Sequence, residues 1–594
     1  MRDALATLLG QKLPAPVEGA IEKLLLLDRL DRIYADVPGA DTRSIAEHPL
    51  ALLNVHPQVS ERDRALIPKQ GPVVAVANHP FGLIEGAILA SLLLSVRPDV
   101  KIMANHLLSA MPEASQLCIF VDPFGGEGAA RANHKGLKDA IAWLKQGGLL
   151  TVFPAGEVSH LNLKERAITD PEWSHSVARL IRITGATVLP MYFLGANSAL
   201  FQLLGCLHPR VRTALLPHEF FNKHNRSIEV RIGSPIAPAK IRAYQDDVAL
   251  IRYLRRRTYL LQNREAPKQF LQNARHAPQA SVVMNELLAS EVAKLAAERT
   301  LLENEDFTVL LAKANEIPNV LHEIGRLREL TFRQVGEGTG RAIDLDRFDD
   351  HYWHLFVWSR QAREVAGAYR LGPSEEILAR FGAKGFYTNQ LFQWKQPFLD
   401  RISPVLELGR SFVRPEYQKT YAPLLLLWKG IGQYLIRNPQ YKLLFGPVSI
   451  SNGYTAASRQ LMVKFLSAYR QSPEFAPLVR ARNPFRQRPS LGDKSSKLAD
   501  ELIGATVWDV EELSALIADV ETDRKGVPVL LKQYLKLGGE LAAFHVDRRF
   551  ADALDGLIIV DLRKTDLRVL ERYMGKEGAA QYLQSRDEKG AVAS

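Results

Sequence analysis

The strongest constraint on the fold is the alternation, from Pro72 to Ile232, of short apolar runs with longer stretches of helical pattern. Val73–Ala77, Val100–Ala104, Leu117–Val121, Leu149–Phe153, Thr187–Phe193 and Ile228–Ile232 each have the length and composition of one strand. Between them, Asn133–Lys145 and Ser174–Thr184 carry apolar residues at helical spacing. This alternation predicts a mostly parallel α/β layer, closed by the turn Gly233-Ser-Pro235.

With 594 residues the chain is too long for a single core, so at least two domains are expected. Residues 1–70 read as helices, notably Ile21–Leu30, forming a lid, a lipid-touching surface or an ordinary packed pair. Residues 71–240 form the first α/β domain, and 241–305 a helical connection whose polar stretch Ala266–Ser281 reads as a linker. The basic cluster Arg252–Arg257 either faces phosphate head groups or is a solvated face. Residues 306–594 form a second α/β domain. Helix Val320–Phe332 precedes a glycine-bearing acidic loop, followed by β-like runs His354–Trp358, Glu364–Leu371 and Val405–Val413. Helix Leu424–Ile436, strand Leu443–Ser451 and a tail of one helix and two strands over Gly526–Leu562 complete it. No internal repeat is visible.

The formal charge is +11, which suits an anionic membrane surface or an acidic protein better than nucleic acid, for which no motif or basic tail is present. Only Cys118 and Cys206 are cysteines, which points to core thiols in a reducing compartment and away from disulfides or a cysteine metal site. The longest apolar run, Gly86–Val96, is about half the roughly 20 residues that span a bilayer. A cytoplasmic protein, peripheral on the inner face of the cytoplasmic membrane, is expected. No cofactor and no metal are expected.

The sequence VVAVANHPFGLIEG (Val73–Gly86) sets His79 on the corner after a strand, with Pro80 presetting a helix start and Glu85 in the turns that follow. On a continuous helix these two would lie far apart in angle, so the pairing requires His79 to sit just before the helix. A histidine with a carboxylate orienter has the parts of a general base. This domain resembles the glycerolipid acyltransferases of the lysophosphatidic-acid type, whose signature is His, four residues, then Asp. Here the spacer is five and the acid is glutamate. VFPAGEVS (Val152–Ser159) resembles the family's Phe-Pro-Glu-Gly-Thr block, which implies acceptor binding by Phe153, Pro154, Gly156 and Glu157. TVLPMYF (Thr187–Phe193) resembles the fourth block, and CIFVDPF (Cys118–Phe124) sits where the second is expected but lacks its arginine.

LELGRSFVRPEYQ (Leu406–Gln418) places Glu407 and Arg410 in an apolar strand, where charges need partners or a task. RLRELTFR (Arg326–Arg333) and DLDRFDDHY (Asp344–Tyr352) supply matching groups, so an ion-pair network is one reading. This half also resembles the ornithine N-acyltransferases, a GNAT branch sometimes labelled as hemolysins, through Arg326–Phe348, Glu407–Val413 and LFGPVSISNGY (Leu444–Tyr454). The Arg…Asp…Glu-x-x-Arg order is similar to that of acyl-homoserine-lactone synthases. The resemblance implies Glu407 as base, Arg410 and Arg326 on a substrate carboxylate, and Asp346 or Asp349 on the side-chain ammonium of ornithine.

Both halves in this order resemble the fused bifunctional ornithine-lipid synthases. That implies N-acylation of ornithine by 3-hydroxyacyl-acyl carrier protein, or acyl-CoA, followed by O-acylation of the lyso-ornithine lipid hydroxyl. A lysophospholipid acceptor, glycine in place of ornithine, and a membrane-damaging protein without enzymatic activity are the alternatives.

Overall fold

The computed structural model describes residues 41–105, 114–121, 129–162, 167–205, 209–264, 282–295, 297–420, 422–486 and 509–584. The expectations for Ile21–Leu30, Asp122–Phe124, Cys206 and the linker Ala266–Ser281 fall outside them. The chain divides into two compact units, Met1–Glu265 with Ala518–Arg524, and Ala266–Ile517 with Lys525–Ser594. Both are mixed α/β.

The first unit holds β1 (His56–Gln58), β2 (Val73–Ala77), β3 (Val100–Asn105), β4 (Cys118–Val121) and β5 (Leu149–Val152). A two-stranded ribbon, β6 (His160–Asn162) and β7 (Ala167–Thr169), precedes β8 (Thr187–Phe193) and β9 (Ser227–Ile232). The main sheet runs β1-β9-β8-β2-β5-β3-β4 and only β8–β9 is antiparallel, in line with the predicted parallel layer. Every residue of β2 is buried because the strand sits between two cores. Val73, Ala75 and Ala77 face Ile84, Ile88 and Leu89 of helix Leu83–Leu94. Val74 and Val76 face Ala140 and Leu144, Val177 and Ile181, and Leu250 and Leu254. Alternate side chains of one strand thus feed opposite cores, so both must be apolar.

The cluster Arg252–Arg257 is only partly a solvated face. Arg257 turns inward to Asp519 at 2.7 Å, and Arg255 donates to the Thr169 hydroxyl and the Asp170 carbonyl at 3.0 and 2.8 Å. Arg252 is exposed.

The second unit begins its sheet earlier than expected, with β10 (Thr300–Glu303) inside a stretch read as helical. β11 (Phe307–Lys313), β12 (Trp353–Ser359), β13 (Glu364–Pro373), the short β14 (Phe392–Trp394), β15 (Val405–Val413), β16 (Leu443–Ile450), the short β17 (Val479–Ala481), β18 (Glu540–Asp547) and β19 (Ala553–Asp561) follow. The sheet order is β10-β11-β12-β13-β15-β16-β19-β18, with β14 and β17 paired separately. All neighbours are antiparallel except β15 and β16, which pair only from Val405↔Leu443 to Glu407↔Phe445. Beyond that the two strands part. Arg410 adopts φ 50° and the β13–β15 register slips beside it, a bulge that turns β15 away from its neighbour. At the point of parting a Cβ on Gly446 would lie 2.0 Å from the Leu408 carbonyl oxygen, so only glycine fits. Helix Pro318–Gln334 covers one face through Val320, Ile324 and Leu327 against Phe356, Ala368 and Phe412.

No helix among the described residues is long and apolar enough to cross a membrane.

Candidate active sites

At the end of β2 the Asn78 side chain accepts from the Phe193 N–H at 2.7 Å and donates to its carbonyl at 3.0 Å. This clip extends the β2–β8 ladder by one residue and fixes the direction in which His79 leaves the sheet. The helix does not start at Pro80. Pro80, Phe81 and Gly82 form a turn, with Gly82 at φ 97° as the N-cap, and Leu83 is the first helical residue. That placement brings Glu85 into the first turn, where it accepts from the N–H groups of Phe81 and Gly82 at 2.6 and 3.3 Å. A carboxylate there caps otherwise unpaired donors and sits at the positive end of the helix dipole. The five-residue spacer therefore closes the contact, because the intervening turn delays the helix start to Leu83.

Glu85 Oε2, the oxygen that takes the Gly82 N–H, also accepts from His79 Nδ1. A carboxylate partner sets the proton on Nδ1 and leaves the Nε2 lone pair free, the tautomer a general base requires. Burial opposes a charged ring, but the Glu85 carboxylate and its hydrogen bond outweigh it and hold the His79 pKa above the ordinary histidine value. The ring stacks on Phe153 at 4.3 Å between centroids. The His79 carbonyl accepts from the Ser159 N–H at 2.7 Å, so the Val152–Ser159 block is bonded directly to the histidine. Within that block Pro154 is buried, Gly156 takes φ 69°, and Glu157 is engaged by Arg212 at 2.7 Å.

Asp170 escaped the sequence reading. Its carboxylate accepts from the His79 N–H at 3.1 Å, the Ser159 hydroxyl at 2.5 Å and Trp173 Nε1 at 2.9 Å. It ties the histidine corner to the 152–159 block from a position 91 residues downstream, where no local pattern marks it.

In the second unit Glu407 is buried beneath three donors, the Tyr352 hydroxyl and the N–H groups of Thr388 and Tyr387, the last two at 2.8 and 3.2 Å. Burial raises its pKa, and these hydrogen bonds oppose the rise. Arg370 lies on the same sheet face and pairs with Asp346 at 2.8 Å and Asp349 at 3.2 Å. Arg328 meets the same Asp349 oxygen, Oδ1, at 2.7 Å, while Oδ2 accepts from the Asp346 N–H at 2.8 Å. Arg410 approaches Asp344 at 3.4 Å and Asp346 at 3.8 Å, between the rings of Tyr387 and Phe550.

The structure thus brings Asp346, Asp349, Glu407 and Arg410 together but not Arg326. Arg326 bonds Glu323 on its own helix at 2.7 Å, and Arg328, two positions and about 200° further round, occupies the interior. The spacing Leu321, Ile324, Arg328, Thr331 on the buried face was the available signal. Arg370, flanked by Tyr369 and Leu371 in a buried strand, carried the same kind of signal.

Residues 58–266 match the family described as Acyltransferase, and residues 327–428 match the acetyltransferase (GNAT) domain. A glycine N(α)-acyltransferase from Phocaeicola vulgatus is 32% identical over 38% of this chain and 71% of its own length. An L-ornithine N(α)-acyltransferase from Brucella abortus is 29% identical over 29% of this chain and 66% of its own. A lyso-glycine lipid O-acyltransferase from Bacteroides thetaiotaomicron is 27% identical over 29% of this chain and 62% of its own. The chain belongs to the family of the Phocaeicola enzyme and is an acyltransferase, with an acyltransferase domain followed by a GNAT domain.

Proposed function

We propose that the chain carries out two successive acyl transfers to build an acylated amino-acid lipid. In the GNAT domain the α-amine of ornithine attacks the thioester of a 3-hydroxyacyl chain on acyl carrier protein. The C–N bond forms, the C–S bond breaks and a lyso-lipid is released. An α-amine titrates near pH 8, so a share of it is already neutral under cellular conditions and the step needs little base strength. Glu407 serves that step by holding the Tyr387–Thr388 turn in place, and Arg410 suits the substrate carboxylate.

In the first domain the 3-hydroxyl of the lyso-lipid gives its proton to His79 Nε2 as its oxygen attacks a second acyl thioester. Glu85 holds the ring and stabilises the imidazolium. The proton then passes to the departing thiolate. The observation that carries the reading is the His79–Glu85 pair with its open Nε2, in a chain that joins both acyltransferase families. The net charge of +11 suits an acidic carrier protein and an anionic membrane surface. Glycine as the acceptor is a second reading, favoured by the name of the Phocaeicola relative.

Expression in a host without aminolipids, with lipid profiling by mass spectrometry, tests the scheme. Wild-type protein should yield the diacyl aminolipid, His79→Ala the lyso-lipid, and Glu407→Ala neither. An unchanged lipid profile with wild-type protein would refute it.

A further inference from the structure

In the second unit Arg328, Arg370 and Arg410 are matched by Asp344, Asp346 and Asp349. Three more carboxylates crowd the same sheet face at the end where β15 and β16 part, and among the described residues no cation pairs with them. Asp555 on β19 stands between Ser449 of β16 and His545 of β18 in the strand register. Glu337, from the loop after helix Pro318–Gln334, accepts from the Ser449 hydroxyl at 3.0 Å. Asp547 ends β18, and its carboxylate accepts the backbone N–H of Arg549 at 2.9 Å.

Asp555 is the telling member. It is 5% exposed, and among the described residues no donor reaches its carboxylate. The charges it faces are those of Asp547, Glu337 and, in opposition, Arg410. Asp547 and Asp555 lie on one face of adjacent strands, and the charges of both act on Tyr387, whose ring carries the Arg410 guanidinium at 4.9 Å. His545 adds no positive charge, since burial lowers its pKa and its Nδ1 accepts the Asn483 N–H at 3.1 Å. Burial and the like charges of Asp547 and Glu337 push Asp555 far above the carboxylate range, and burial pushes Glu337 up to about 7 against the Ser449 hydrogen bond and Arg410. Excess buried acid without a partner is costly, and a bound cation relieves it.

We propose that Asp555, with Glu337 and Asp547, is the subsite for the side-chain ammonium of the amine acceptor, so that the domain selects a cationic amino acid over glycine. This rests on the reading of the second unit as an amino-acid N-acyltransferase. The assignment to the side-chain group follows from acidity. Carboxylates around an ammonium raise its pKa and keep it protonated, which would silence the amine that must attack. The acidic cluster therefore suits the nitrogen that is held, not the one that is acylated. Asp346 and Asp349, expected in this role, are already taken by Arg370 and Arg328.

The test uses the purified full-length chain with 3-hydroxyacyl-acyl carrier protein and three acceptors: ornithine, norvaline (the same carbon skeleton without the side-chain ammonium) and glycine. Wild-type kcat/KM should favour ornithine over norvaline by at least about 100-fold, because a site built for a polar group rejects the analogue lacking it. Asp555→Asn should bring that ratio to within about fivefold of unity, and Glu337→Gln should lower it to an intermediate value. Thermal melts with and without ornithine follow folding, and ornithine should raise the Tm of wild type more than that of either folded variant. A wild-type ratio near one, or a ratio unmoved in both variants, overturns the subsite. Failure of wild-type protein to acylate any of the three amines would instead refute the N-acyltransferase reading beneath it.

Discussion

Glu85 and Glu407 are nearly the same object placed in two domains. Each is a fully buried carboxylate that accepts two backbone N–H groups and one side-chain donor. The difference lies in the third donor. Behind Glu85 stands a histidine, whose second nitrogen can pass a proton onward. Behind Glu407 stands a tyrosine hydroxyl, which burial and the neighbouring carboxylate hold far above its ordinary pKa and whose oxygen is already engaged by the Tyr387 N–H at 3.0 Å. A buried acid with a short hydrogen bond is therefore not a catalytic signature by itself. What its partner can do next decides whether it orients a base or fixes a turn.

The largest effect should come from His79→Ala. Loss of the general base is expected to lower O-acylation of a lyso-lipid by about 10³–10⁴-fold, measured with purified protein and an acyl-thioester donor. A loss below tenfold would place the base elsewhere. Glu85→Gln should cost about 10²–10³-fold in the same assay by freeing the ring tautomer, with the apparent pKa of the rate moved downward because the carboxylate that favoured the imidazolium is gone.

The second carboxylate should answer in stability before chemistry. Glu407→Ala leaves the Thr388 N–H unpaired and takes the acceptor from the Tyr352 hydroxyl, whose oxygen keeps the Tyr387 N–H at 3.0 Å, a destabilisation of about 3 kcal/mol in denaturant unfolding followed on the second unit. Tyr352→Phe removes one donor and should cost about 1–2 kcal/mol. If Tyr352→Phe instead shifts the pH profile of N-acylation at unchanged stability, the contrast between the two carboxylates fails.

The two sites were also unequally legible. His79 and Glu85 lie within seven residues of each other, so their association could be read from one stretch of sequence, and β2 and β8 were placed to the residue because unbroken apolar runs leave little choice. The helix start was misplaced from Leu83 to Pro80, since the turn depends on a positive φ at Gly82 that spacing does not reveal. Asp170, Arg370 and Asp555 escaped notice because each reaches its site through tertiary contacts. Asp555 and Arg370 were nonetheless charged residues in buried strands, and a buried charge always asks for a partner. Arg326 and Arg328 are the same residue type, and only the face of the helix separates the one bonded to Glu323 from the one that reaches Asp349.

The most direct measurement is the pH dependence of O-acylation by the purified chain, with lyso-ornithine lipid and an acyl-thioester donor, for wild type and Glu85→Gln. Protonated His79 cannot accept the hydroxyl proton, so activity should fall as pH drops through a wild-type midpoint above 6.5, and Glu85→Gln should move that midpoint lower. A midpoint that stays where it is when Glu85 is neutralised, or a rate without an acid limb, would contradict the His79–Glu85 base on which the two-step reading stands.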